Sequence, residues 1–137
     1  VLAWLHILRI ARRGERAAAQ HLRAWELSFA QFDIIAQVGA HEGISQQELA
    51  HKLLVTQGNV TQLLDKLERR GLVLRCPEGR TNALVLTDTG RALFAEVVPA
   101  HEQWQATRFA GLAPDEQDQL LRLLAKLDRA QRDESPT

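Results

Sequence analysis

What this chain lacks narrows it first. It has no methionine and a single cysteine, Cys76. One thiol excludes an internal disulfide, so the fold must rest on packing alone, which suits a reducing cytosol. Nowhere does an apolar run approach the ~18 residues of a membrane span. Lys plus Arg and Asp plus Glu number 17 each, for a net charge of zero. An electrostatic partner must therefore be met by local patches. The 137 residues are one domain's worth, and 45% hydrophobic with 25% charged residues is a globular composition. Val1 already lies inside an amphipathic pattern, so the natural protein is expected to start upstream. A cleaved signal peptide would leave a similar start, but nothing downstream suggests secretion.

Catalytic patterns are also missing. His41-Glu42 and His101-Glu102 each begin like a zinc protease motif, but neither has a second histidine four residues after the first. There is no Gly-rich phosphate loop and no nucleophile elbow. Ser28 and Ser45 serve as helix caps. No enzyme, cofactor or metal is expected.

What remains is mostly helical. Residues 1–25 carry apolar side chains at helical spacing, weakened but not broken by Gly14. Ser28-x-x-Gln31 and Ser45-x-x-Glu48 read as capping boxes for a second helix ended by Gly43 and a short third. Thr56 caps a fourth helix, "TQGNVTQLLDKLERRG", closed by Gly71. "LVLRC" and "ALVLT" then read as two strands around "PEGRTN", a tip longer than two residues. Thr87 or Asp88 opens a long helix to about residue 110, with a kink or break at Pro99. Pro114 starts the last helix, whose face is Leu120, Leu121, Leu123, Leu124 and Leu127. The tail "DESPT" is expected to fray.

Three helices followed by a hairpin form a winged helix-turn-helix, whose second paired helix enters a DNA major groove. In "TQGNVTQLLDKLERRG", Val60, Leu63, Leu64 and Leu67 share one face, while Gly58, Gln62, Asp65 and Arg69 lie opposite. Asn59 and Gln62 suit adenine, Thr61 suits a thymine methyl or a phosphate, and Gly58 leaves room for close approach. Taken alone, that face reads more readily as an ordinary solvated surface. The cations Lys66, Arg69, Arg70, Arg75 and Arg80 favour phosphate contact instead. Arg80, at the hairpin tip, can enter a minor groove, with Glu78 pairing to hold its direction. Set against this, an exposed ion pair is worth little.

The runs "LSFAQFDIIAQV", "GISQQELAHKLLVTQGNVTQLLDKLERRGLVLR" and "PEGRTNALVLTDTGRAL" resemble the multiple antibiotic resistance regulator (MarR) family over about residues 22 to 130. The resemblance implies a mainly α fold with a small β-hairpin wing. In it, 1–27 and 110–137 are dimerisation helices and 28–109 is a winged helix-turn-helix lobe with a long connecting helix. It implies a cytoplasmic homodimer, usually a repressor, on palindromic double-stranded DNA, often released by a small aromatic or phenolic effector. It places the recognition helix on Thr56 to Arg70. The DNA-contacting set is then Thr56, Gln57, Gly58, Asn59, Thr61, Gln62, Lys66, Arg69, Arg70, Arg75 and Arg80. The wing motif falls on Glu78-Gly79-Arg80, where Glu replaces the family's usual Asp and Gly79 a frequent second arginine.

Trp25, Phe32, Asp33 and Trp104, with Trp4 and His21, are candidates for an effector pocket, and each is as readily plain packing. Asp33 is placed in the first turn of its helix, where a carboxylate favours the dipole. Two other functions compete with this reading. One is a winged-helix module that binds protein rather than DNA. The other is a redox sensor in which Arg75 and Arg80 activate Cys76.

Overall fold

The computed structural model describes residues 1–53 and 59–134. Helix α1 (Leu2–Leu22) passes through Gly14 unbroken and ends in a 3₁₀ turn, Arg23–Trp25. Glu26 then takes a left-handed φ of 56°, rare for a residue with a side chain. Helix α2 (Phe29–Ala40) has the expected full capping box. Gln31 N–H donates to Ser28 Oγ (3.1 Å) and Ser28 N–H donates to Gln31 Oε1 (3.0 Å). Its buried residues, Phe32, Asp33, Ile34, Ile35 and Val38, leave little of its circumference to water, as befits a central helix.

Helix α2 stops at Ala40, before the expected Gly43, which at φ 93° instead turns the chain into a short strand, β1 (Ile44–Ser45). Ser45 then caps α3 (Gln46–Lys52) by accepting from Glu48 N–H at 3.1 Å. Only half of that capping box forms, because Glu48 Oε1 accepts from the Ser45 hydroxyl (3.0 Å). The expected cap of the next helix, Thr56, lies outside the described residues, and α4 is described over Val60–Arg69. Gly71, at φ 73°, closes α4: its N–H donates to Glu68 O (2.9 Å) and Leu72 N–H donates to Leu67 O (3.0 Å).

The strands β2 (Val73–Glu78) and β3 (Thr81–Leu86) pair antiparallel, with Glu78 opposite Thr81. The connection is therefore Gly79-Arg80 alone, a two-residue turn where a longer tip was expected. Its positive φ at Gly79 (63°), without one at Arg80, is the II′ pattern that matches strand twist. β1 joins β3 on the other side, Ile44 opposite Leu84, giving a three-stranded sheet in the order β1-β3-β2. Pro77, which cannot donate to a ladder, sits in the edge strand β2.

Thr87 caps α5 (Asp88–Thr107), accepting from Gly90 N–H at 2.9 Å. Of the kink or break expected at Pro99 the break does not occur: the helix continues through the proline and ends at Thr107. Helix α6 (Pro114–Glu134) begins at its proline, with Ala113 N–H donating to Glu116 Oε1 (2.8 Å).

The chain divides into two compact units, Val1–His101 and Glu102–Thr137. The division falls inside α5, and α1 belongs with the sheet-bearing unit. In that first unit Leu22, Ile34, Ile35, Leu49, Leu64, Leu67, Leu84 and Leu86 form one core with Val38, Val73 and Val97. In the second, no described residue is fully buried. Gln117 Nε2 closes its connecting turn by donating to the carbonyls of Phe109 (2.9 Å) and Leu112 (3.0 Å). No helix among the described residues is long and apolar enough to cross a membrane.

Candidate nucleic-acid interface

Buried Val60, Leu64 and Leu67 fix which side of α4 faces inward. That orientation leaves Asn59, Thr61, Gln62, Lys66 and Arg69 exposed, as the sequence pattern predicts. Asn59 precedes the helix and its side chain makes no cap bond to it. Lys66 and Arg69 enter no ion pair among the described residues. Thr56, Gln57 and Gly58, also expected at this surface, lie outside the described residues.

Two of the arginines assigned to phosphate are engaged within the protein. Arg75, on β2, donates from Nη1 to Asp65 Oδ1 at 2.7 Å and from Nη2 to Thr61 O at 2.9 Å, and is only 20% exposed. It joins the wing to α4, and it balances the Asp65 carboxylate there. Arg70 reaches back past the end of α4, donating to Glu26 O (2.8 Å) and Trp25 O (3.4 Å). Its target is the carbonyl turned out by the left-handed Glu26. Both cations were grouped with the DNA-facing ones because sequence spacing shows charge but not the carbonyls within reach.

The wing is braced differently from expectation. Glu78 forms no ion pair with Arg80 among the described residues. Instead Thr81 Oγ1 donates to Glu78 O at 3.2 Å across the turn. Arg80 is exposed at the tip. Cys76 is exposed too, but Arg75, one of its two expected activators beside Arg80, is directed at Asp65 and Thr61. At the wing's far end, Thr87 Oγ1 donates to Gly71 O (2.6 Å) and Thr87 N–H to Leu72 O (3.0 Å). The start of α5 is thereby tied to the end of α4.

An open cleft of about 420 Å³ lies between α3, α4 and the wing, lined by Gln46, Gln47, Thr61, Arg80 and Asn82 among others. Gln46, Gln47 and Asn82 were not singled out from sequence. The available signal was the polar pair Gln46-Gln47 directly after the Ser45 cap. Gln46 Nε2 donates to Thr61 Oγ1 at 2.8 Å.

The effector-pocket candidates fall in both units. In the first, Trp25 Nε1 donates to Glu96 Oε1 at 3.2 Å, and Phe32 packs against His101 with ring centres 4.5 Å apart. Asp33 is buried, one residue past the first turn of α2 in which it was expected. His21 Nδ1 and His101 Nδ1 are 3.0 Å apart. Burial, and secondarily the His21 imidazole, push His101 below the ordinary histidine value. In the second unit, the Arg108 guanidinium lies over the Trp104 ring at 5.7 Å. Among the described residues, no group of three or more His, Cys, Asp or Glu is placed to hold a metal ion.

A helix pair with a polar outer face, backed by a hairpin that its own arginine fastens to the second helix, defines a winged helix-turn-helix module. The family model of the MarR family matches residues 25–80. An HTH-type transcriptional regulator of Bacillus cereus is 30% identical over 129 residues, covering 93% of this chain and 88% of that protein. This chain belongs to the MarR family and is a DNA-binding transcription regulator. Among solved structures, BpsR of Bordetella bronchiseptica, whose DNA binding is regulated by 6-hydroxynicotinic acid, is 29% identical with a TM-score of 0.78, covering 90% of this chain and 92% of that one. MepR of S. aureus, solved as a DNA complex, shares the fold at TM-score 0.82 and 24% identity, covering 95% and 97%.

Proposed function

We propose that this protein is a homodimeric repressor of the cytoplasm, acting on an inverted-repeat operator and released by a small aromatic acid or phenol. The observation that carries the reading is the division of labour on and around α4. Arg75 and Arg70 hold the helix by internal bonds, while Gln62, Lys66 and Arg69 stand exposed on it and Arg80 on the wing. A rigid polar helix with uncommitted side chains is what base reading in a major groove requires. A lone guanidinium on a narrow turn suits the minor groove beside it.

The apolar residues of α1 and α6 that remain exposed, among them Trp4, Ile10, Leu121 and Leu123, support a second copy as the partner. Two-fold symmetry then sets the recognition helices about one DNA turn, ~34–36 Å, apart. The effector reading rests on BpsR, a regulator 29% identical whose DNA binding responds to 6-hydroxynicotinic acid.

Selection from a random duplex library at near-physiological salt tests this. An enriched inverted repeat with half-sites about a turn apart is expected. On that site, Arg80→Ala should weaken binding about tenfold across sequences and lower the salt slope by about one. Gln62→Ala should change which sequences are preferred. A folded dimer that enriches nothing would refute the reading and favour a protein-binding module.

A further inference from the structure

Thr61 is held from two directions, and only one of the holds concerns its backbone. Its carbonyl accepts from Arg75 Nη2 at 2.9 Å, which anchors the first turn of α4 to the wing. Its hydroxyl accepts from Gln46 Nε2 at 2.8 Å, which anchors the side chain to α3. Gln46 and Thr61 both line the open cleft between α3, α4 and the wing, with Arg80 and Asn82 on the wing side.

The second hold matters because threonine is ambiguous in a helix. Its χ1 divides between two wells, and rotation exchanges hydroxyl for methyl at a given point on the surface. The two groups recognise different things: a methyl meets the thymine methyl, and a hydroxyl meets a phosphate or a base edge. A hydroxyl also has one donor and two acceptor sites. With one acceptor site taken by Gln46, its hydrogen is left to donate. Oxygen fixed towards α3 holds the methyl about 120° away around the Cα–Cβ bond. One external hydrogen bond thus decides which chemistry Thr61 presents.

We propose that Gln46 is a specificity-determining positioning residue, setting through its bond to Thr61 which base pair the first turn of α4 accepts. This rests on the reading of α4 as the helix that enters the major groove. Gln46 is partly buried at the start of α3, so its amide acts on the recognition helix from the side. Reach alone would let Gln46 touch DNA itself, and the test separates that from positioning.

The experiment compares base preference at every operator position for the wild type, Gln46→Met, Thr61→Val and the double variant. Gln46→Met keeps length and loses the donor. Thr61→Val keeps the branched shape and loses the acceptor. Each single variant should relax discrimination about fivefold at the same one position in each half-site. Affinity for unrelated duplex DNA should stay within about twofold. The double variant should go no further than either single one.

Gln46→Glu is the second probe. It cannot donate, so it reverses the bond by accepting the Thr61 hydrogen, and it should alter preference at that same position. A change at a different position for Gln46→Met, or additive losses in the double variant, would assign Gln46 a direct contact and overturn the proposal. So would an unchanged profile. Failure of the underlying reading looks different: Thr61→Val and Gln62→Ala would then both leave the base profile untouched while duplex binding stayed salt-dependent.

Discussion

The two compact units of this chain treat the same residue type in opposite ways. In the first, Leu49, Leu64, Leu67 and Leu84 are completely buried. In the second, Leu121, Leu123, Leu124 and Leu127 are 68, 66, 42 and 46% exposed. Leu64 and Leu67 on α4 and the four leucines of α6 alike follow helical spacing, so periodicity fixes which face of a helix is apolar without fixing what covers it. The first unit answers within itself by folding α2, α3, α4 and the sheet around one core. The second unit does not close over the leucines of helix α6, and in the first unit the start of α1, with Trp4 59% and Ile10 62% exposed, is likewise left outside the core. A fully exposed leucine forgoes roughly 1.5–3 kcal/mol of burial. A contiguous set of them on one face is what supports the proposed second copy as partner.

The largest way to break this contrast is Leu64→Ala. The cavity would lie in the centre of the closed core, behind the polar face of α4, and should cost about 3 kcal/mol. Denaturant midpoints at constant slope would measure it, and DNA affinity should fall in parallel with the folded fraction.

Next in size is a pair of identical substitutions with opposite sign. A Cβ on Gly90 would run into the Leu72 backbone carbonyl, where the start of α5 meets the end of α4. Gly90→Ala should therefore destabilise by about 2 kcal/mol. Gly14, inside α1, has nothing within 4 Å of an added Cβ. Gly14→Ala should stabilise by up to about 1 kcal/mol through helix propensity alone. Equal shifts of the two thermal midpoints would show that the Leu72 contact does not constrain α5.

Much of the fold was legible because local chemistry and tertiary demand agree. Ser28 with Gln31, Gly71 and Pro114 each mark a boundary by a bond or dihedral that neighbours alone decide. β1 was missed because two residues carry no period, and only Leu84 and Ala83 across the sheet make Ile44 and Ser45 a strand. The hairpin turn was drawn too long because Pro77 resembles a strand breaker, yet on an edge strand its missing N–H costs no ladder bond. At the interface, the exposed set on α4 followed from its apolar stripe. The internal duties of Arg70 and Arg75 did not, since they answer to carbonyls at Trp25, Glu26 and Thr61 that no side-chain pattern announces.

A smaller effect is expected from pH, and it belongs to the closed unit. His101 is fully buried beside His21 and Phe32, and its pKa lies below the ordinary 6.5 because burial penalises the cation. Below 6.5 the unfolded chain takes up a proton that the folded chain resists, so unfolding binds protons. The contribution of neutral His101 is thus complete above 6.5, declines as pH falls through that value, and is fully lost below the depressed folded value. The thermal midpoint should be lower at about pH 5.5 than at about pH 7.5, with His101→Phe reducing the difference. Identical slopes in both proteins would place the pH response elsewhere.

The smallest expected effect on unfolding is the most informative about the open face. Leu121→Ala and Leu124→Ala remove side chains that are 68 and 42% exposed in the single chain. If nothing covers them, the pair should change stability by no more than about 0.5 kcal/mol at any protein concentration. If a second copy covers them, the wild-type midpoint should rise with protein concentration, because association stabilises by mass action. The double variant should then lose that dependence and sediment as a monomer at concentrations where the wild type is a dimer. Stability measured at one high concentration would confuse this loss with a core defect. A dilution series separates them, since Leu64→Ala lowers the midpoint at every concentration whereas the α6 pair lowers it only where the dimer is populated.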